Sequence, residues 1–292
     1  MKKFLYNFKI APYVFIAPFI ISFTIFFLFP LVNAGIMSFQ KVLPGGNTFI
    51  GIDNYKRLIN PTFGKALWNS IVYTILTLII LIPIPLLLAI IVNNSKLVGT
   101  KIFKSILFLP ALTSVVVASM MFRFLFGELP TSQMNIIASF FGYSSIRWLR
   151  NSNYVFPVLL FVASWRWMGV NMLYFISGLQ NIPEEVLEAA QVEGANVFQR
   201  YFYIVIPMLK PITTYVITIS IYAGLAMFTE SLMIYGINSP NDMALTIVGY
   251  LYKLGIMQNN LGLASAVGMF LLCFALIINL IQLKSTGFFR KD

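Results

Sequence analysis

EEVLEAAQVEGANVFQRYFYIVIPMLKP, residues 184–211, breaks the pattern of the chain around it. The 292 residues include nine acidic ones, and Glu184, Glu185, Glu188 and Glu193 all fall in this stretch, with apolar runs on either side. Local signals divide it into two short helices. Pro183 followed by Glu184 and Glu185 suits a helix start, with φ fixed and carboxylates at the positive end of the dipole. Val186, Ala189, Ala190 and Glu193 then share one face. Gly194 can take the positive φ that ends a helix, and Asn196 is a plausible cap for the next. Pro207 and Pro211 close that second helix and lead into another apolar run. Paired alanines allow close approach to a groove, and a neighbouring carboxylate can pair with an arginine there. An amphipathic helix that merely lies at the membrane interface is an equal reading of the same residues.

Composition sets the wider frame. The chain is 59% hydrophobic and 10% charged, where soluble domains hold about a quarter charged residues. Mean hydropathy is +0.85. Lipid is therefore the main solvent, and backbone polar groups must be satisfied within helices. A formal charge of +11 reads as basic cytoplasmic loops rather than nucleic-acid binding. With no histidine and the single Cys273 in an apolar run, neither a disulfide framework nor a metal site is expected.

A spanning helix takes about 20 apolar residues. Six runs qualify, at about 12–34, 69–92, 104–126, 154–177, 212–235 and 262–283. The expected fold class is an all-α membrane protein: one transmembrane domain over residues 1–292. Pro83 and Pro85 are expected to kink the second span. The first run follows Lys2, Lys3 and Lys9, and Val32-Asn33-Ala34 could be cleaved, but the run exceeds the apolar core of about 7–15 residues in a secretory signal. An even number of spans puts both termini on one side. Lys2, Lys3, Lys9, Lys96, Lys101, Lys104, Arg200, Lys210, Lys284, Arg290 and Lys291 lie on that side. The smaller set of Lys41, Lys56, Arg57, Lys65, Arg147, Arg150 and Lys253 lies on the other. The richer side is expected to be cytoplasmic, which places the acidic segment there. Pro44-Gly45-Gly46 and Asn60-Pro61 mark turns, and Trp68, Trp148, Tyr154 and Tyr250 are expected at membrane borders.

Arg166 is the sharpest anomaly, a cation near the middle of the fourth span. Such residues face a bundle interior or a wet cavity. It shares a stripe with Ala163, Trp167 and Val170, a surface suited to sugars, although a purely structural bond to carbonyls or to a partner is the other reading. Ser220 and Gly224 share a face of the fifth span, where helix packing by small residues is equally expected. Glu230 is the obvious counter-ion. Counted along continuous helices, however, Arg166 lies about 18 Å deep and Glu230 about 8 Å, so contact between them is not expected.

The acidic segment resembles the EAA loop of permease subunits in ATP-driven, binding-protein-dependent importers. Glu188-Ala189-Ala190, Gly194, Ile206-Pro207 and Pro211 carry the match, and GLQNIPEEVLEAAQVEGANVFQ resembles the sugar branch, which includes the maltose and glycerol-3-phosphate importers. Residues 11–39 and 49–74 are similar to the amino-terminal half of one of that branch's two permease types. Glu193 replaces the usual Asp, and Ile237-Asn238-Ser239-Pro240 replaces the usual external Gly-Gly-Pro. The resemblance implies a cytoplasmic coupling loop at about 181–211, between the fourth and fifth spans. In it Glu188, Ala189, Ala190, Gly194 and Pro207 would engage an ATPase. It also implies a substrate cavity that includes the Arg166 stripe, Ser220 and Gly224.

Implied partners are a second, non-identical permease, two cytoplasmic ATPase subunits, an extracytoplasmic substrate-binding protein and a carbohydrate ligand. The implied location is the cytoplasmic membrane of a bacterium or archaeon. The chain has no G-x-x-x-x-G-K-[ST] loop, so ATP and Mg would be held by the partner ATPase, with no cofactor and no catalytic residue here. The competing class is an ion-coupled secondary sugar carrier, which typically needs carboxylates or histidines inside its spans. A membrane enzyme lacks an embedded nucleophile–base pair here.

Overall fold

A computed structural model describes residues 10–43, 45–93 and 98–287. Lys2, Lys3, Lys9, Pro44, Lys96, Arg290 and Lys291 lie outside the described residues. In chain order the elements are helix α1 (Ala11–Met37), strands β1 (Gln40–Lys41) and β2 (Thr48–Phe49), and helices α2 (Asp53–Arg57), α3 (Pro61–Val92), α4 (Thr100–Leu112), α5 (Val115–Leu125), α6 (Gln133–Phe140) and α7 (Ser152–Gln180). Then follow α8 (Glu184–Val192), α9 (Val197–Met208), α10 (Lys210–Leu225), α11 (Thr229–Tyr235), α12 (Ile247–Met257) and α13 (Leu261–Ser285).

Among the described residues, α1, α3, α7 and α13 are each long and apolar enough to cross a membrane. Two further candidates are bent pairs: α4 with α5, at 97°, and α9 with α10, at 63°. Counting each pair as one span gives six. The expected run at 104–126 is therefore not one straight helix, because Thr113 and Ser114 adopt extended ψ values. The expected run at 212–235 stops early. Helix α10 ends at Leu225, and α11 restarts at Thr229 as a separate helix.

The chain forms two compact units. One comprises the described residues up to Asn60 together with Leu251–Leu272. In it β1 and β2 pair antiparallel, Gln40 opposite Phe49. The buried Asn54 amide donates to the carbonyls of Ser38 and Gln40, both at 2.9 Å, which ties α2 to the end of α1. Gly262 permits a close backbone approach there, since a Cβ would lie 2.1 Å from the Gln40 carbonyl oxygen.

The second unit comprises the described residues of Pro61–Tyr250 and those from Cys273 onward, and in it α7 packs against α3, α4, α5 and α10. The first part of α7 (Val155, Val158, Leu159, Val162, Ala163) packs in one cluster with Tyr73, Leu81, Phe122 and Phe126. Its second part (Met172, Phe175, Ile176, Leu179) packs in another with Ala89, Val92, Val205, Leu209 and Val216. Helix α3 is interrupted at Ile82, before Pro83. Proline lacks an N–H, so Pro85 leaves the Leu81 carbonyl without its usual i+4 donor. The buried amide of Asn171, on α7, supplies one at 2.8 Å. Of the expected border aromatics, Trp68 is exposed while Tyr250 is buried. Trp148 donates from its indole to Asn135 at 2.8 Å, within a hydrogen-bonded lobe around α6.

Helix α7 meets α4 backbone to backbone. At Gly169 a Cβ would lie 2.0 Å from the Leu107 carbonyl oxygen and 2.7 Å from the Phe108 nitrogen. Without a strong hydrophobic drive between helices in lipid, such small-residue contacts carry much of the association. Gly169→Ala should lower the thermal unfolding midpoint of the detergent-solubilised protein, with a cost of at least about 1–3 kcal/mol because backbone rather than side chain must yield. Gly64→Ala, a helical position with no neighbour within 4 Å, should leave the midpoint equal or slightly raised. Equal midpoints for the two variants would refute the backbone contact.

Candidate functional site

The stripe on α7 faces a cavity of about 390 Å³ within the second unit. That volume falls inside the range of roughly 300–1,000 Å³ typical of small-molecule sites. Ala163, Arg166, Trp167, Val170, Ser220 and Gly224 all line it, so the structure brings the six sequence candidates around one space. Helix α3 adds Tyr73 and Thr77, and α7 adds Asn171 and Tyr174. The break between α10 and α11 adds Ala226, Met227 and Phe228. Sequence reading did not single these out. Their signal was present but weak: Tyr73 and Thr77 lie four apart on α3, and Asn171 lies one turn beyond Trp167.

Gly224 serves packing as well as lining. A Cβ there would lie 2.6 Å from Thr74 Oγ1 and 3.0 Å from Thr74 Cα, so α3 and α10 are in close contact beside the cavity.

Arg166 and Glu230 do touch, contrary to the depth count. Arg166 Nη1 lies 3.4 Å from Glu230 Oε1, with side chains 13% and 16% exposed. The count assumed that the fifth span continued past Leu225. The chain instead leaves the helix at Ala226–Phe228 and re-enters one at Thr229, so Glu230 sits in the first turn of α11 and borders the cavity. Arg166 Nη2 also reaches the Thr113 carbonyl, at 3.5 Å. That carbonyl stands at the break between α4 and α5. The guanidinium lies 5.2 Å from the centre of the Trp167 ring, within cation–π range. These polar contacts are long, and Nε is buried with no hydrogen-bond partner among the described residues.

The acidic segment forms the two helices expected of it, α8 and α9. Gly194 has φ +86°. The Gly194 N–H donates to the Gln191 carbonyl at 3.1 Å and the Ala195 N–H to the Ala190 carbonyl at 2.9 Å, which satisfies the last carbonyls of α8. Asn196 and Gln199 then form a reciprocal capping box at the start of α9. Arg200 donates to the Gln191 side chain at 2.9 Å and ties the two helices together. Leu187 and Tyr201 pack against the cluster that holds Phe175 and Leu179. Glu188, Ala189, Gly194 and Pro207 are exposed and Ala190 is half-buried. A concavity of about 380 Å³ is bordered by Ala190, Glu193, Gly194, Gln199 and Tyr203. Val192, on α8, and Phe198, on α9, are 88% and 76% exposed.

In the loop that departs from Gly-Gly-Pro, Ser239 is buried and its hydroxyl accepts from the Ala244 N–H at 3.2 Å. Asn69, on α3, donates to the carbonyls of Asp242 and Leu245, so the loop is held from the second span.

Residues 60–284 match the family described as "Binding-protein-dependent transport system inner membrane component". The chain is 49% identical over 287 residues to the arabinooligosaccharides transport system permease protein AraP of Bacillus subtilis (strain 168), covering 98% of this chain and 92% of that one. It is similar in structure to a chain of a bacterial ABC transporter involved in the import of the acidic polysaccharide alginate, with a TM-score of 0.85, 25% identity and 96% of each chain covered. A second similar structure is the bacterial alginate ABC transporter in complex with an alginate pentasaccharide-bound periplasmic protein, with a TM-score of 0.82, 25% identity and coverage of 93% of this chain and 92% of that one.

Removing one partner of a buried ion pair leaves an uncompensated charge, at about 3–5 kcal/mol, whereas replacing both is often neutral. Arg166→Leu should therefore destabilise the solubilised protein markedly, and Arg166→Leu with Glu230→Leu should recover most of the loss. Denaturant unfolding of the two variants checks this. A double variant as unstable as the single one would mean that the two charges are not coupled.

Proposed function

This chain belongs to the family of binding-protein-dependent transport system inner membrane components, and from that membership we propose that it is the permease subunit of an ATP-driven oligosaccharide importer. The near end-to-end likeness to a permease of arabinooligosaccharide transport carries the choice of ligand class. The chain supplies half of the translocation pathway, and a second, different permease supplies the other half. Helices α4 and α5 together make the third span and α10 the fifth, which gives six spans with both termini in the cytoplasm. Residues 181–211 then form the coupling loop, between the fourth and fifth spans.

The division of labour follows from the residues. Two ATPase subunits bind and hydrolyse ATP, since this chain carries no phosphate-binding loop. Their groove receives α8, with Glu188 at its tip, Ala189 and Ala190 giving close approach and Gly194 shaping the turn. ATP binding draws the ATPases together, moves α8 and α9, and opens the cavity to the side where a binding protein delivers sugar; hydrolysis resets it. Such a cycle needs a bundle with two states biased from both ends. In the cavity Trp167 offers a ring face for a sugar, while Arg166, Ser220 and Asn171 offer hydrogen bonds.

Reconstitution of the assembled transporter with its binding protein tests this. Arabinooligosaccharide should stimulate ATP hydrolysis, and its failure to do so while another sugar succeeds would overturn the ligand class. Glu188→Lys should insert into the membrane normally yet reduce sugar-stimulated hydrolysis to the unstimulated rate. Undiminished uptake by that variant would remove the coupling role.

A further inference from the structure

We propose that Glu230 is a specificity-determining residue that makes the cavity electrically neutral and thereby selects uncharged saccharides against acidic ones. The inference rests on the reading of this chain as an oligosaccharide permease and narrows the class of sugar it takes.

Arg166 and Glu230 are the two charged residues among those lining the cavity, one of each sign. Arg166 alone, a partly buried guanidinium beside an aromatic face, would favour a carboxylate-bearing sugar, because a fork of N–H donors matches a carboxylate. Glu230 removes that preference. It occupies one side of the fork at 3.4 Å, and the Thr113 carbonyl takes the other at 3.5 Å. A uronate entering the cavity would meet a guanidinium already compensated, and its own charge would be buried near the Glu230 carboxylate without a partner. A neutral sugar needs no charge partner. Further polar lining comes from the hydroxyls and amide of Tyr73, Thr77, Asn171, Tyr174, Ser220 and Thr229, groups able to hydrogen-bond sugar hydroxyls.

The placement depends on the break in the chain after Leu225. A fifth span that stayed helical would set Glu230 away from Arg166. The turn at Ala226–Phe228 instead carries the carboxylate to the cavity wall. The discontinuity thus places the counter-charge.

The test measures equilibrium binding of radiolabelled arabinotriose and trigalacturonate to the complete permease–ATPase assembly in lipid nanodiscs, without binding protein, so that delivery does not filter the ligands. Glu230→Gln should raise the affinity for trigalacturonate relative to arabinotriose by about tenfold or more. Arg166→Gln combined with Glu230→Gln, which removes both charges, should return the ratio close to that of the unaltered protein. An unchanged ratio in Glu230→Gln, or a gain that persists in the double variant, overturns the proposal. Should Glu230→Gln fail to assemble, Thr229→Lys adds a cation to the same wall while leaving the pair intact. It should raise the trigalacturonate ratio likewise, and no gain there is equally decisive against neutrality as the selecting property. If the unaltered assembly binds neither sugar, the oligosaccharide reading fails, and the trigalacturonate response of Glu230→Gln still decides the role of the charge.

Discussion

A peptide carbonyl in hydrocarbon has no water to turn to, so a helix can stop within a bundle only where another group takes over the freed hydrogen bond. Helix α7 does this on two sides. Its Asn171 amide reaches the Leu81 carbonyl, left without its helical donor by Pro85, and its Arg166 guanidinium reaches the Thr113 carbonyl at the 97° bend between α4 and α5. Two interruptions that would be costly in a lipid-facing helix are thus supported from one central helix. The cavity is bordered by the Leu81 end of the first interruption, by Val115 after the second, and by the break after Leu225, so irregular backbone gathers around it.

Local chemistry was legible in the sequence. The turn at Gly194, the cap at Asn196 and the helix start after Pro183 depend on neighbours within a few positions, and the structure forms each of them. The breaks in the third and fifth runs were not legible. Thr113-Ser114 and Ala226-Met227-Phe228 contain neither Pro nor Gly, so hydropathy reads through them; the conformation at Thr113 is held both locally, by its N–H and hydroxyl donating to the Pro110 carbonyl, and by Arg166 from α7. The candidate site divides the same way. A stripe at helical spacing on α7 was visible, and so were Ser220 and Gly224. Glu230 was set aside because its depth was counted along a helix that ends earlier. Tyr73 and Thr77 belong to a span whose hydropathy announces lipid and hides its polar face.

The two ends of the proposed mechanism share one element. Helix α7 carries Arg166 and Trp167 at the cavity and finishes at Gln180, a short turn before α8 begins at Glu184. Leu187 and Tyr201 fix the acidic pair of helices to the same cluster that holds Phe175 and Leu179. Displacement of α8 is therefore met by the packed core of α7 rather than absorbed by a slack linker. The reciprocal cap and the Arg200–Gln191 hydrogen bond make α8 and α9 a preformed unit, so little ordering entropy opposes docking.

Gly169 gives this helix a fulcrum. Direct contact between its backbone and that of Leu107 leaves no space for a side chain between α7 and α4 at this point, so a rigid tilt of α7 would turn about it. From Gly169 the helix extends about 16 Å toward Gln180 and about 26 Å toward Ser152, at 1.5 Å per residue. The arms are unequal. A small rigid tilt imposed at the Gln180 end would be magnified about one and a half times at the far end, while Arg166, one turn from the pivot, would move least. A lever of this shape would move the Ser152 end of α7 widely while the cavity stripe beside the pivot stays nearly still.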